Sequence, residues 1–358
     1  MKKVKLVLVL GLALVLVLAF ALPGAAAEKK LLRWGCANPG SYYYKASAFI
    51  ADFLRRGVPD YDLTIYPFVS TTANMKGFLA GDLESVYTAE PGFAKLYAFI
   101  KPFAGFEPHV KKMPVQAIWL YTMETHILTL PLNKDKYRTW QDLDGKKIYM
   151  TKAGYMNHIN IFRAMRDICG LKITHVEVDM SKVADALSKG TIDATAAYTT
   201  ALVSLASWIK VLDVATPLQG VNPTPEQIKK LTAAGFAPEK IDIKKAYTRD
   251  LGVKELYGVP FYFGQHFGLD IPEDGVYRIL KVLEESAGDL VKLEAGFGPL
   301  AKDFAGFQVK GIRSIPTVPV HPGLAKYLKE KGLWDSSWKI ATKKTIDEAV
   351  EKMKAKAK

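Results

Sequence analysis

Short apolar runs alternate along this chain with stretches whose apolar residues recur every three or four positions, and the alternation predicts strands followed by helices. Leu31 to Cys36 reads as a first strand. It is followed by a helix whose Ala46, Phe49, Ile50, Phe53 and Leu54 form one apolar face ending near Gly57. Leu63 to Val69 is a second strand, and Ser70 to Asn74 starts a short helix that Gly81 ends. Leu83 to Tyr87 is a third strand, and Glu90-Pro91 opens the next helix, with proline where its missing N–H does no harm.

The second half repeats this order. Thr139 with Asp142 resembles a capping box for one short turn that Gly145 ends. Strand Lys146 to Met150 enters the loop TKAGYMN, and Phe162, Met165 and Ile168 then recur at helical spacing up to Gly170. Strand Thr174 to Val178 and a Ser181-capped helix (Val183, Ala184, Leu187 inward) follow, and GTIDAT (190–195) echoes GDLESV (81–86). The repeated unit implies two βαβαβ lobes with parallel sheets and right-handed crossovers. Val115 to Leu130 is too long for one ordinary strand and suits a chain crossing between lobes. Residues 216–249 read as a peripheral helical excursion, and Tyr257 to Leu269 as a buried return strand into the first lobe. Asp274 to Glu285 and His321 to Trp334 read as helices, and the lysine-rich tail after Thr342 as a solvated helix or frayed end.

Residues 1–27 read as a cleaved secretory signal: Lys2, Lys3 and Lys5, an apolar run from Leu6 to Leu22, then Ala25-Ala26-Ala27 before Glu28. The remaining 331 residues suffice for two α/β lobes, 28–125 with 259–358 and 126–258. The formal charge of +13 falls to +10 once the leader's lysines are set aside, which suits anionic solutes or a membrane face. An exported chain without a basic-aromatic module is a poor fit to nucleic acid. Cys36 and Cys169 fall at equivalent places in different lobes, so a bridge would tie the lobes together, which speaks against one.

Enzyme readings find no constellation. The six histidines are scattered, and no metal-spaced pair, cysteine cluster, Gly-x-Ser-x-Gly elbow or dinucleotide fingerprint is present, so neither metal nor cofactor is expected. His321, before Pro322, reads as a structural cap. In open parallel sheets, ligands sit beyond the C-terminal strand ends. Five loops qualify: Cys36 to Tyr43, Ser70 to Asn74, Thr88 to Glu90, Thr151 to Asn157, and the segment after Ala196. They make Asn38, Gly40, Ser41, Tyr42, Tyr43, Thr71, Thr72, Asn74, Glu90, Thr151, Gly154, Tyr155, Asn157 and Tyr198 the candidate ligand-binding residues. The short hydroxyl and amide side chains serve equally as helix caps. The tyrosines serve equally as core, and Glu90 could receive an amine or favour the next helix start.

Five segments together resemble the TAXI-type solute receptors of tripartite ATP-independent periplasmic (TRAP) transporters over essentially the whole mature chain: GCANPGSYYYKAS (35–47), STTANMKGFLAGDLESVYTAE (70–90), TWQDLDGKKIYM (139–150), SKGTIDATAAY (188–198) and VHPGLAKYLKEKG (320–332). The resemblance supports Tyr43, where the family carries a tyrosine. It implies a type II periplasmic-binding-protein clamshell, each lobe a parallel-dominated sheet flanked by helices, closing over a small solute in the periplasm. The solute passes to an ion-gradient-driven membrane permease. KAGYMN replaces the family's Gly-Ser-Gly-Thr, and YKA its Pro-Val-Gly, which places bulkier groups near the cleft. With helix N-termini and a basic chain, the expected ligand is a small carboxylate, such as a dicarboxylate or acidic amino acid. The alternatives are a ligand-binding protein for a membrane sensor or ABC-type permease, or a secreted enzyme on the same fold.

Overall fold

The computed structural model describes residues 29–356; the expected signal segment lies outside them. The strands are β1 (Lys30–Cys36), β2 (Tyr61–Pro67), β3 (Ser85–Ala89), β4 (Val115–Thr129), β5 (Lys147–Tyr149), β6 (Thr174–His175), β7 (Ala194–Thr200), β8 (Ser204–Leu205), β9 (Gln219–Val221), β10 (Glu239–Lys240) and β11 (Tyr257–Phe267). They form one mixed sheet with the main order β2-β1-β3-β11-β4-β7-β5-β6. The repeat seen in the sequence is present as topology. In the first lobe β1 lies between its parallel partners β2 and β3, and in the second β5 lies between β6 and β7. Helices α1 (Tyr42–Gly57), α2 (Thr71–Leu79) and α3 (Glu90–Ala98) serve the first unit. The second has α4 (Met156–Phe162), continued by a π-turn over Arg163–Ile168, then α5 (Val183–Ser188) and α6 (Ser207–Ala215).

Two long antiparallel strands join the lobes. Nearly all of the 115–130 run forms a single strand, β4 (Val115–Thr129), whose first half pairs with the C-terminal half of β11 and whose second half pairs with both β11 and β7. Fourteen of its fifteen residues are buried, which explains an apolar run longer than an ordinary strand: it crosses both lobes without leaving the interior. The β4–β11 register shifts between Phe263 and Gly264. A Cβ on Gly264 would lie 2.1 Å from the carbonyl oxygen of Ile118, so only glycine fits this bulge.

The excursion 216–249, the 174–178 strand and the 274–285 helix depart from expectation. The excursion 216–249 is not wholly peripheral, because β9 pairs with β4 and β10 with β11. Only Thr174–His175 of the expected 174–178 strand joins the sheet. The 274–285 helix runs from Glu273 to Leu293 as α7, because its apolar face continues through Ala287 and Leu290 against α1 and its neighbours. Cys36 and Cys169 are free thiols. The Thr139–Asp142 box forms, with the carboxylate accepting the Thr139 amide at 2.8 Å. His321 caps the next helix, α8 (Pro322–Glu330): its Nδ1 accepts the Gly323 amide at 3.1 Å.

Candidate functional site

The C-terminal ends of β1 and β3 face those of β5 and β7 across the junction, and the candidate loops meet there. Thr72 donates from its amide (3.3 Å) and hydroxyl (3.0 Å) to the carbonyl oxygen of Gly154. Gly154 stands at φ +88°, and a Cβ there would meet Ser70 Oγ at 3.2 Å, so glycine permits both the turn and the approach of the lobes. Tyr155 donates its hydroxyl to Asn38 Oδ1 at 2.6 Å, a second tie from lobe to lobe. Asn157, buried, reaches Met123 Sδ of β4 at 3.4 Å.

Beside these ties lies a cavity of about 440 Å³, in the size range of small-molecule sites (about 300–1,000 Å³). The first lobe supplies Asn38, Pro39, Gly40 and Ser41. The second supplies Tyr155 and Tyr198, the start of α5 around Met180 and Ala184, and the α6 face carrying Ser207, Trp208 and Val211. Five sequence candidates therefore line it: Asn38, Gly40, Ser41, Tyr155 and Tyr198. Burial raises the Tyr155 phenol to about 12 and pushes Tyr198 higher still, so both remain neutral hydroxyls. Trp208 Nε1 donates to Tyr198 Oη at 3.4 Å. Ser41 caps α1 by accepting the Tyr44 amide, and Asp179 at the rim accepts from the amide and hydroxyl of Ser181, which holds its carboxyl below the usual range.

The remaining candidates do not line this cavity. Tyr43, expected to face the solute, is wholly buried in the first lobe. Its ring stacks on Tyr87 at 3.9 Å, which stacks in turn on Phe263 at 4.5 Å. Its hydroxyl donates to Gln265 Oε1 (2.7 Å) and accepts from Trp34 Nε1 (3.2 Å), so every polar atom of the phenol is already used. Tyr42 packs edge-on against Tyr121 with a buried hydroxyl that has no partner among the described residues. Thr71 and Asn74 are buried in α2; Asn74 Oδ1 accepts the Tyr87 amide at 2.8 Å, and its amide nitrogen faces Gly35. Thr151 holds a left-handed φ of +62°, with its buried hydroxyl unpartnered among the described residues. Glu90 is half-buried, accepts the Tyr262 amide at 2.6 Å, and is driven by desolvation up to about 8.

A further cavity of about 540 Å³ lies between α3 and α4 and contains none of the candidate residues. Its two arginines are engaged: Arg166 pairs with Asp167 at 2.8 Å, and the Arg163 guanidinium sits 4.6 Å over the Phe236 ring. No group of His, Cys, Asp and Glu among the described residues is arranged to hold a metal ion, and none of their helices is long and apolar enough to cross a membrane.

Trp208 and the α6 wall were not singled out by sequence reasoning. The available signal was a second apolar stripe: Trp208, Val211, Leu212 and Ala215 recur at helical spacing, although Ile209 and Leu212 already supply the buried face. Val211 is 67% exposed, an apolar residue left over after the core is satisfied.

These features define a two-lobed mixed α/β protein with a cavity of about 440 Å³ where the lobes meet. More particularly, the chain belongs to the NMT1-like family, whose pattern matches residues 97–332. A search of curated protein sequences finds no match. Among solved structures, the chain is similar to the alkanesulfonate-binding protein SsuA from Xanthomonas axonopodis pv. citri bound to MOPS (16% identity, 88% of this chain and 98% of that one, TM-score 0.44). It is also similar to the periplasmic aliphatic sulphonate binding protein SsuA from Escherichia coli (14%, 87% and 90%, 0.44). A third is the ligand binding component of an ABC-type import system from Staphylococcus aureus (10%, 87% and 96%, 0.45).

Proposed function

We propose that this protein is a periplasmic solute receptor, which takes up a small molecule between its lobes and delivers it to a membrane permease of the ion-gradient-driven TRAP type. One observation carries the reading: the 440 Å³ cavity is walled by both lobes, so an occupant touches both and stabilises their approach. The lobes are 28–125 with 259–358 and 126–258, and the hinge lies in the paired crossings near Thr122 to His126 and Tyr257 to Phe261, beside the register shift at Gly264. The TRAP assignment rests on the TAXI-like segments of the sequence, and neighbouring genes for a fused multi-spanning permease test it. Native mass spectrometry of the protein purified from its own host tests the receptor itself. A bound small molecule in stoichiometric amount is expected, and a protein that carries none and shows no closure with any solute in scattering would sink the reading.

A further inference from the structure

We propose that the interlobe cavity takes an uncharged, flat solute with an aromatic or conjugated face, not the small carboxylate that helix ends and net charge suggest. The inference rests on the receptor reading and deepens it. Three aromatic side chains bound the cavity. Tyr155 and Tyr198 are nearly buried, and Trp208 is half-buried with its ring 6.2 Å from that of Tyr198 in an edge-on arrangement. Such rings offer broad apolar faces with polar edges, and they select planar partners. Met180, Ala184 and Val211 complete an apolar wall.

The charges point the same way. Among the described residues no lysine, arginine or histidine lines the cavity, and the one charged residue there, Asp179, is acidic. A carboxylate drawn into this space would lose water without gaining a cation, which disfavours it. Two of the helix starts that might have received an anion are occupied by the chain itself, Ser41 capping α1 and Asp179 the turn at Met180–Lys182, while α6 begins at the cavity wall without a side-chain cap. What remains is suited to a neutral hydrogen-bond acceptor. Tyr198 Oη accepts from Trp208 and among the described residues has no acceptor for its own proton, in a side chain more than nine-tenths buried. A carbonyl or ring nitrogen on the solute would receive that proton while its flat face lies along Trp208.

Calorimetry and tryptophan fluorescence on the full exported protein test this, with indole and benzamide as neutral probes and L-glutamate and succinate as anionic ones. Binding of a neutral probe, weakened about tenfold by Trp208→Ala, is expected, as one lost ring contact implies. Val211→Asp, at an exposed position on the same wall, guards against a folding defect in Trp208→Ala and should weaken the neutral probes to a similar extent. Tyr198→Phe should weaken benzamide more than indole, because only benzamide presents a carbonyl. L-Glutamate or succinate binding more tightly than both neutral probes, and unaffected by Trp208→Ala, would overturn the ligand class while leaving the receptor intact. A stoichiometric host-derived ligand identified as an anion would do the same, and a neutral aromatic one would support the inference. No binding by any probe, together with no ligand on the host-purified protein, would overturn the receptor reading and this inference with it.

Discussion

The hydroxyl of Tyr155 donates to Oδ1 of Asn38 across 2.6 Å, joining residues 117 positions apart from opposite lobes. Both line the cavity, so the bond that helps hold the lobes together also shapes the cavity's wall.

Tyr155→Phe removes that bond and keeps the ring. The closed form should lose about 1 kcal/mol, shifting the open-to-closed ratio about fivefold. Small-angle scattering of the ligand-free protein should show a larger mean radius for the variant. Identical curves would mean that Thr72 and Gly154 suffice to hold the lobes.

Tyr43→Ala should act on folding and not on binding. Removing a fully buried ring from the Tyr43–Tyr87–Phe263 stack should cost roughly 3–5 kcal/mol. Tyr43→Phe removes only the hydroxyl between Gln265 and Trp34 and should cost about 1 kcal/mol. Denaturant melts give the stabilities, and calorimetry with a bound probe gives the affinity. Lost affinity at wild-type stability would return Tyr43 to the site.

Stability should fall as pH rises from 6.5 to 8. Burial raises Glu90 to about 8 and Glu124 to about 7, so the folded protein holds protons that the unfolded chain has already released. Each group contributes a loss of up to about 1.4 kcal/mol per pH unit until the folded protein releases that group's proton. His126 and His321, depressed to about 4, have the opposite sign but act only below about pH 6.5, where the unfolded chain takes up protons first. Thermal melts at constant ionic strength check the slope, and Glu90→Gln should flatten it above pH 7. An unchanged slope in that variant would remove Glu90 as its source.

Gly264→Ala should be poorly tolerated. Its methyl would press on the Ile118 carbonyl oxygen, a backbone atom that cannot step aside. A loss of about 3 kcal/mol or more is expected, the upper range for overpacking. A melting temperature within a degree of wild type would show that the β4–β11 crossing adapts freely at this bulge.

Local pattern carried much of this protein. Short apolar runs and period-3.6 spacing marked the strands and helices of both units, and their matching order agrees with the echo of β2-β1-β3 in β6-β5-β7. The Thr139–Asp142 box and the His321 cap were legible because donor and acceptor lie within a few residues of each other. The loops at the strand ends were legible too, because a parallel unit leaves its C-terminal edge open.

Tertiary structure alone decided which tyrosines face the cavity. Tyr42, Tyr43 and Tyr155 look alike in a one-dimensional pattern, each beside a helix start. Tyr43 went inward because Gln265, 222 residues away, accepts its hydroxyl and Phe263 completes its stack, whereas Tyr155 found Asn38 at the cavity edge. Trp208 became a wall of the site because α6 packs its other face on the core and leaves this one toward the first lobe. Periodicity reports that a side chain points to one face of its own helix or strand. What stands opposite that face is set by long-range pairing, and that pairing determined which polar groups were satisfied internally and which face the cavity.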